Sequence, residues 1–288
     1  MLVKPMFQIV DPGKLKLSLL MVVVVSCACS TFQPPDVNGP RANARPYPVA
    51  VTNDETKSAG LLAWKNLLAV RGTAAPVEPQ FSPLTGTIAA LPPNNTSEVS
   101  LPKVGTGTTP TEEEIRESLR RFINEWHEVI GAEPQHLSLI ERTDEPSGLK
   151  LARYEQRPFR LALRGGFGNL LIRFRDDRRV VELMSNCIPN SEHLQPALAA
   201  VSPKVSAEEA SAHVLGRTIT LTDANGLSRS FTIPSGTALE VQQLVVYALA
   251  SADKQALELH LAWEIAVPNG SIKSIYLDAI TDEVIATN

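Results

Sequence analysis

Residues 111–131 read TEEEIRESLRRFINEWHEVIG, and this stretch decides how the second half of the chain begins to fold. Thr111 and Glu114 form a capping box, in which the threonine oxygen accepts from the Glu114 backbone N–H and the glutamate reaches back. Apolar residues then recur at spacings of three and four, at Ile115, Leu119, Phe122, Ile123, Trp126, Val129 and Ile130. Gly131 supplies a helix end, so the stretch predicts one amphipathic helix with a buried face.

Four segments of alternating apolar residues follow this helix. They cover residues 149–154, 159–164, 170–175 and 180–184, and Asp176 to Arg178 supplies the turn between the last two. A period of two is typical of strands with one buried face, and short turns between them favour antiparallel pairing. Residues 111–190 are therefore predicted to form a helix packed on an antiparallel sheet.

The same plan repeats between residues 200 and 288. Ser206 and Glu209 form a second capping box that begins a short helix. Strand-like runs follow it, over residues 218–222, 230–233, 241–249, 257–267, 271–279 and 284–286. We therefore expect an α+β fold of two consecutive units, 111–190 and 200–288, each a helix packed on an antiparallel sheet.

Residues 27–110 differ from this body in composition. They hold 12 of the 22 prolines, with many Ser, Thr, Gly and Asn residues, and such a segment buries too little apolar surface to offset its ordering entropy. We predict a disordered, Pro-rich flexible linker. The exception is Ser58 to Val70, a short amphipathic helix candidate that would dock on the body, lie on the membrane or form only transiently.

The first 26 residues are predicted to be a signal peptide. The apolar run from Leu17 to Val25 is about half the length that crosses a bilayer, which fits a signal-peptide core better than a membrane span. Val24 to Cys27 resembles the lipobox of bacterial lipoproteins, whereas Cys29 has a serine where the lipobox has an aliphatic residue. An ordinary secretory signal with incidental cysteines is the alternative.

The lipobox resemblance implies cleavage before Cys27 and lipidation of that residue by a diacylglycerol and an acyl group such as palmitate. Several buried acyl chains anchor a protein firmly, so the membrane would be a partner through the N-terminal lipid. Ala28 follows Cys27, which implies an outer-membrane lipoprotein of the cell envelope facing the periplasm or the surface. Cys29 stays open as the alternative lipidated residue.

Composition and histidine spacing argue against several classes of function. The net charge of −4 excludes a generic nucleic-acid binder. His127 and Glu128 begin like the HExxH motif of zinc peptidases, but Gly131 stands where the second histidine belongs. The other histidines stand singly, at His136, His193, His213 and His260. We therefore expect no metal and no cofactor, and Cys187 is predicted to be a small buried side chain.

Three other groups of residues suggest chemistry only weakly. Gly165 to Gly168 joins two predicted strands and is predicted to be a turn or bulge. Residues 153–179 hold eight arginines against three acids; pairing with neighbouring acids is favoured over a basic face that binds an acidic partner, anionic lipid or polysaccharide. Glu264, Asp278 and Asp282 are predicted to be solvated or in turns. No catalytic residue is predicted.

Arg121 to Asn190 resembles the propeptide domain of thermolysin- and fungalysin-type metallopeptidases. The matching stretches are the helix end Glu128 to Gly131, the segment Leu151 to Gln156 and the strand pair Leu170 to Leu183. At Arg157 to Arg160 the chain departs from the family, which usually has a glycine-containing turn and a valine there.

The second unit resembles the PepSY module that follows this propeptide domain in the family. The similarity lies in Ser206 to Gly216 and in the ending from Leu244 to Ile285. Its most specific part is Trp263-Glu-Ile265 on one strand with Tyr276-Leu-Asp-Ala279 and Thr281-Asp-Glu-Val284 on the next hairpin. Together the two resemblances cover about 165 residues.

In that family the propeptide and PepSY pair precedes a catalytic domain, assists its folding and inhibits it until removed. Because no HExxH motif occurs before Asn288, the resemblance implies a non-enzymatic, lipid-anchored envelope protein. It would bind or modulate a peptidase, as inhibitor or folding helper, or bind another envelope protein. The alternatives are a remnant or split part of a secreted metallopeptidase precursor, a hydrolase with an unrecognised site, and a structural envelope protein that faces polysaccharide.

Overall fold

A computed structural model describes residues 47–288 of the chain, apart from residues 53, 73–76, 93–98, 108, 223–227, 252–254 and 269–271. The predicted signal peptide lies outside the described residues, and so do Cys27 and Cys29. Among the residues that the structure describes, no helix is both long and apolar enough to cross a bilayer.

The described chain begins with strand β1 (Val49–Val51), helix α1 (Asp54–Val70) and the hairpin of β2 (Gln80–Phe81) and β3 (Ile88–Ala90). Trp64 and Leu68 of α1 are 1% exposed and belong to the main hydrophobic cluster of the first half. The Trp64 ring packs edge-on against Trp126, with centroids 5.5 Å apart.

The flexible linker predicted over residues 27–110 therefore requires correction from Tyr47 onward. The apolar stripe of α1 finds a partner in the core, and burial of this stripe offsets the entropy of ordering a Pro-rich segment. Of the three roles considered for residues 58–70, the structure shows the first, because these residues belong to a helix that docks on the body.

Helix α2 (Glu112–Glu125) begins with the predicted capping box, in which Glu114 N donates to Thr111 Oγ1 and Thr111 N donates to the Glu114 carboxylate. The helix is interrupted at Trp126 and continues as the short helix α3 (His127–Ile130). Gly131 ends it with φ of 81°, and a Cβ there would lie 2.4 Å from the Thr87 side chain. Glycine is therefore required by both the left-handed conformation and the close approach.

Strands β4 (Leu137–Asp144), β5 (Lys150–Gln156), β6 (Leu163–Arg164), β7 (Asn169–Phe174) and β8 (Val180–Ser185) follow. Four of them form an antiparallel sheet in the order β4-β5-β7-β8, and the apolar face of α2 packs on it. Sequence patterning missed β4, in which Ile140 forms a bulge that interrupts the alternation.

The strand predicted over residues 159–164 is wrong in extent and in partner. Only Leu163 and Arg164 are extended, and they pair in parallel with a strand of the second half. Residues 157–162 instead form a loop, at the place where the chain departs from the resembled family.

The second half contains α4 (Gln195–Ala199), α5 (Ala207–Val214), β9 (Thr218–Thr222), β10 (Ser228–Thr232), β11 (Glu240–Ala250), β12 (Ala256–Ala266), β13 (Ser274–Asp278) and β14 (Val284–Thr287). The capping box of Ser206 and Glu209 is confirmed at the start of α5. The largest sheet has the order β14-β13-β12-β11-β6, with β1 paired to the beginning of β12.

The α+β fold class is thus confirmed, with helices packed on antiparallel sheets. Strands β6 and β1 come from the N-terminal side of the chain but pair in the sheet of the second half. The described residues, from Tyr47 onward, accordingly belong to one compact unit.

A candidate binding site on the polar face of the second sheet

The central strand β12 has one apolar and one polar face. Leu257, Leu259 and Leu261 point to the side on which α4 packs. The alternate positions carry Glu258, His260, Ala262 and Glu264, and the paired positions of β13 carry Tyr276 and Asp278. We call this second side of the sheet the polar face.

The polar face is buried, which corrects the prediction that Glu264 and Asp278 are solvated or turn positions. Asp278 is 0% exposed and Glu264 is 6% exposed. Carboxylates are almost never buried to this extent unless they are paired and hydrogen-bonded. Each of the two is the centre of its own hydrogen-bonded cluster.

Glu264 is bound by three neighbouring side chains. Arg164 Nε and Nη2 lie 3.1 and 3.2 Å from the two carboxylate oxygens, in a bidentate ion pair. Gln243 Nε2 donates over 2.8 Å and Tyr276 Oη over 3.0 Å. Burial alone would raise the pKa of Glu264, but these hydrogen bonds outweigh it and hold the pKa below its usual value. Burial and the neighbouring Glu264 carboxylate raise the pKa of Tyr276 to about 12.

Asp278 is the centre of the second cluster. Its Oδ2 accepts from Tyr47 Oη and lies against His260 Nδ1, both over 2.6 Å. Its Oδ1 accepts from the backbone N–H groups of Ile280 and Thr281. Burial would raise the pKa of Asp278, but the bonds from His260, Tyr47 and the turn outweigh it and lower the pKa. Burial and the bond to Asp278 raise the pKa of Tyr47.

His260 was predicted to stand singly, and the structure places it in this cluster. Its Nε2 is buried with no hydrogen-bond partner among the described residues, 3.5 Å from Glu258 Oε2. One signal in the sequence could have revealed the arrangement. Three ionisable residues, at positions 258, 260 and 264, share one face of an alternating strand, and a tyrosine and an aspartate stand at alternate positions of the next strand.

A cleft of 730 Å³ opens beside the Glu264 cluster. Loop residues 157–168 form one wall, and Gln243, Tyr247 and Tyr276 of the polar face form another. The Tyr247 and Tyr276 rings lie 4.7 Å apart. Three arginines line the cleft, at Arg157, Arg160 and Arg164.

These three arginines differ in how far neighbouring acids neutralise them. Arg164 forms an ion pair with the buried Glu264. Arg157 makes only a long contact of 3.8 Å with Glu155, and both side chains are largely exposed. Arg160 is exposed and has no carboxylate within ion-pair distance among the described residues. The cleft therefore offers cationic side chains to a ligand at its rim.

A second depression, the apolar groove of 650 Å³, lies on the opposite side of the same sheet. It is lined by Leu244, Val246 and Leu261 of the sheet and by Leu198 and Val201 of the α4 region. Phe159, Arg160 and Leu161 of the loop line both the cleft and the groove. The loop that replaces the predicted strand thus separates a polar from an apolar depression.

Most arginines of the basic stretch pair with neighbouring acids, as favoured from the sequence. Arg153 lies 3.4 Å from Glu141, and Arg173 pairs with Glu145 and Glu182 over 2.9 and 2.5 Å. These pairs lie on the first sheet, away from the cleft wall that is formed by residues 157–168.

The remaining candidate residues are dispersed. His127 begins α3 at the surface, and its Nδ1 lies 2.9 Å from Asn124 O. His136 ends a single 3-10 turn, and His193 lies in another. Among the described residues no group of three His, Cys, Asp or Glu side chains is arranged to hold a metal ion.

Three further predictions can be compared with the structure. Asp282, predicted to be solvated or in a turn, lies in the β13–β14 turn but binds His213 and Arg217, which ties that turn to the end of α5. Gly165 to Gly168 forms the predicted turn, with positive φ at all three glycines. Cys187 is buried and free, as expected, and burial raises the pKa of its thiol to about 12.

No protein-family model and no curated protein matches this chain.

Proposed function

We propose that this chain is a non-enzymatic binding protein of the bacterial cell envelope, anchored through a lipid on Cys27. In this proposal the body binds a peptidase, as inhibitor or folding helper, or another envelope protein. The peptidase and the anchor rest on the sequence resemblances alone. The body supplies independent support for binding, in the cleft beside Glu264.

The observation that carries the proposal is the cleft with its preorganised wall and exposed cations. Glu264 accepts four hydrogen bonds from Arg164, Gln243 and Tyr276, so its acceptor positions are occupied by the protein itself. Such a carboxylate holds neighbouring side chains in place and is poorly suited to accept a proton. The exposed Arg157 and Arg160 remain for a ligand.

The proposal is tested with the full chain purified from solubilised membranes. A bound partner should co-purify, and addition of the purified chain should change the rate or the folding yield of that partner if it is a peptidase. Arg160→Glu should weaken both effects, whereas Arg116→Glu makes the same charge change on the exposed face of α2 and should leave them unchanged. The proposed site would be contradicted if the partner co-purified equally well with Arg160→Glu, or if the chain changed neither the rate nor the folding yield of any partner.

The anchor is tested by fractionation. Replacement of Cys27 by Ser should move the protein from the membrane to the soluble fraction, and Cys29→Ser serves as the matched control. If both variants stay in the membrane fraction, the lipobox interpretation is wrong.

A hydrolase is the second candidate, because a buried, hydrogen-bonded pair of titratable groups is an arrangement that enzymes use. His260 and Asp278 form such a pair, and His260 Nε2 has no hydrogen-bond partner among the described residues, with Glu258 Oε2 3.5 Å away. Against this candidate, His260 is 6% exposed and lines neither the cleft nor the apolar groove. Hydrolysis of peptide or ester substrates by the purified chain in the presence of chelator, lost in His260→Gln, would establish the hydrolase and refute the binding protein.

A further inference from the structure

The outer edge of β11 is paired along only part of its length. Strand β6 pairs with Val246 and Tyr247, and within the described chain it is the only strand on this side of β11. Ala162 still accepts a backbone hydrogen bond from β11, but no backbone bond to β11 is made by residues 157–161. Among the described residues, the beginning of β11, from Glu240 to Leu244, therefore has no strand beside it on that edge.

The direction of one unpaired backbone group follows from the register. Val246 N donates outward to Ala162 O over 2.9 Å. From Leu244 to Val246 the pairing with β12 has no bulge, and backbone groups in a strand alternate between the two edges. Leu244 N–H and C=O must therefore point to the same edge as those of Val246. The neighbouring side chains of Glu240, Gln242 and Gln243 are exposed, so the edge begins in solvent.

The two depressions lie on opposite faces of the sheet beside this unpaired edge, and residues 159–161 line both of them. Gln243 lines the polar cleft, whereas Leu244 lines the apolar groove. A strand added beside β11 would direct alternate side chains into the one and into the other, because successive side chains of a strand point to opposite faces. Edge, cleft and groove together thus have the geometry of a site for strand addition.

We propose that the beginning of β11 binds an extended segment of a partner protein by strand addition, and that this segment alternates acidic with apolar side chains. The acidic side chains face the cleft, where Arg157 and Arg160 are exposed. The apolar side chains face the groove of Leu244, Val246 and Leu261. This inference rests on the proposed binding function and names the chemistry of the bound segment.

Charge complementarity is the reason for choosing acidic side chains. Besides the arginines, the charged side chains of this region are Glu155 and Glu264 at the cleft, Glu192 at the groove and the exposed Glu240 at the start of β11. At the cleft, Glu264 is neutralised by Arg164 and Glu155 lies beside Arg157, so Arg160 is the cation left over there. An arginine at the rim forms charge-assisted hydrogen bonds with a carboxylate and none with a lysine.

The test measures the binding of fluorescein-labelled octapeptides to the full chain by fluorescence anisotropy. The probe alternates Leu and Glu at every position. One control peptide has Lys in place of Glu, and a second has the same composition as the probe but with Leu and Glu in pairs, which places both residue types on both faces. The alternating Leu–Glu peptide should bind at least about tenfold more tightly than either control, because the Lys peptide cannot form charge-assisted bonds with Arg160 and the paired peptide directs glutamate into the apolar groove.

Two substitutions and one direct measurement locate the site. Leu244→Pro removes the outward N–H without removing a bond to β12, and it should weaken binding of the Leu–Glu peptide about tenfold or more. Leu244→Ala keeps the N–H and should bind the peptide more tightly than the proline variant. Arg160→Glu should reverse the preference between the Glu and Lys peptides. Hydrogen exchange of the Leu244 amide in the unmodified chain should slow on addition of the Leu–Glu peptide, which tests the site even if the proline variant does not fold.

The inference is overturned if the Leu–Glu peptide does not bind, if it binds without protecting the Leu244 amide, or if Arg160→Glu leaves the preference unchanged. If the chain instead self-associates, loses this self-association in Leu244→Pro and binds no peptide, the edge is a contact between two copies of the chain. These outcomes are separable from those of the proposed function. A partner that co-purifies equally well with Leu244→Pro would preserve the binding protein and refute this edge as its site.

Discussion

Replacement of Trp64 by alanine removes the largest side chain of α1 from the core. In a flexible linker this change would have almost no effect on the stability of the body. In the structure Trp64 is 1% exposed, its ring packs against Trp126, and its Nε1 donates to Val77 O over 3.2 Å. The substitution therefore separates the two interpretations of residues 54–70.

The expected loss follows from the removed contacts. Truncation of a buried tryptophan to alanine costs about 3–5 kcal/mol, because the transfer free energy of the ring is lost and a cavity remains. The edge-on contact with Trp126 is part of this, since such aromatic pairs contribute about 0.5–1.5 kcal/mol beyond their buried area. We expect a decrease in the free energy of unfolding of about 3–5 kcal/mol for Trp64→Ala.

Urea denaturation followed by circular dichroism measures this quantity without relying on tryptophan fluorescence. Leu62→Ala is the matched control, because Leu62 lies in the same helix but is 59% exposed and should change the free energy by less than about 0.5 kcal/mol. If Trp64→Ala and Leu62→Ala have equally small effects, α1 does not belong to the core. If both are equally large, the exposure of a side chain in α1 does not determine its contribution to stability.

Other predictions follow from single groups. Thr111→Ala should lower the free energy of unfolding by about 1 kcal/mol in the same assay, because the capping box at α2 is lost; no change would mean that the cap is not formed. Cys187 should resist iodoacetamide at pH 8 in the folded chain and react fully in urea, as read by mass spectrometry, because its buried thiol has a pKa of about 12; rapid labelling of the folded chain would contradict its burial. Glu264→Gln should lower the free energy of unfolding, measured by urea denaturation, by about 1–3 kcal/mol, since Arg164 keeps its charge but loses its partner and is itself partly exposed. A neutral or stabilising effect would contradict a stabilising role of the ion pair. Because the folded-state pKa values of Glu264 and Asp278 are lowered, the free energy of unfolding should fall as the pH drops below 4.5 and then 3.8, their ordinary pKa values. In Glu264→Gln this pH dependence should be weaker. An unchanged dependence would show that Glu264 does not contribute to the pH dependence of stability.

The starts of α2 and α5 could be predicted from the sequence because their determinants lie within four residues. The capping boxes at Thr111 and Ser206 and the helix end at Gly131 need no information from elsewhere in the chain. The strands β5, β7, β8 and β12 were predicted because each has alternation with a period of two. Strand β4 was missed because the bulge at Ile140 breaks that alternation.

The candidate site could not be predicted in the same way, because its residues come together only through pairing of distant strands. Tyr47 and Asp278 are 231 positions apart, and Arg164 and Glu264 are 100 apart. A glutamate on a strand has the same sequence signature whether it faces water or an arginine. Its burial depends on whether a loop such as 157–168 covers that face of the sheet.

The amino-acid sequence by itself determined the α+β class, the starts of the capped helices and the alternating faces of most strands, because these properties arise from interactions between near neighbours. Only the tertiary structure decided that α1 belongs to the core, that β6 pairs with β11, and that Glu264 and Asp278 are buried. Each of these depends on a partner far along the chain. The free energy of burying a helix stripe or a carboxylate is favourable only when that partner is in place.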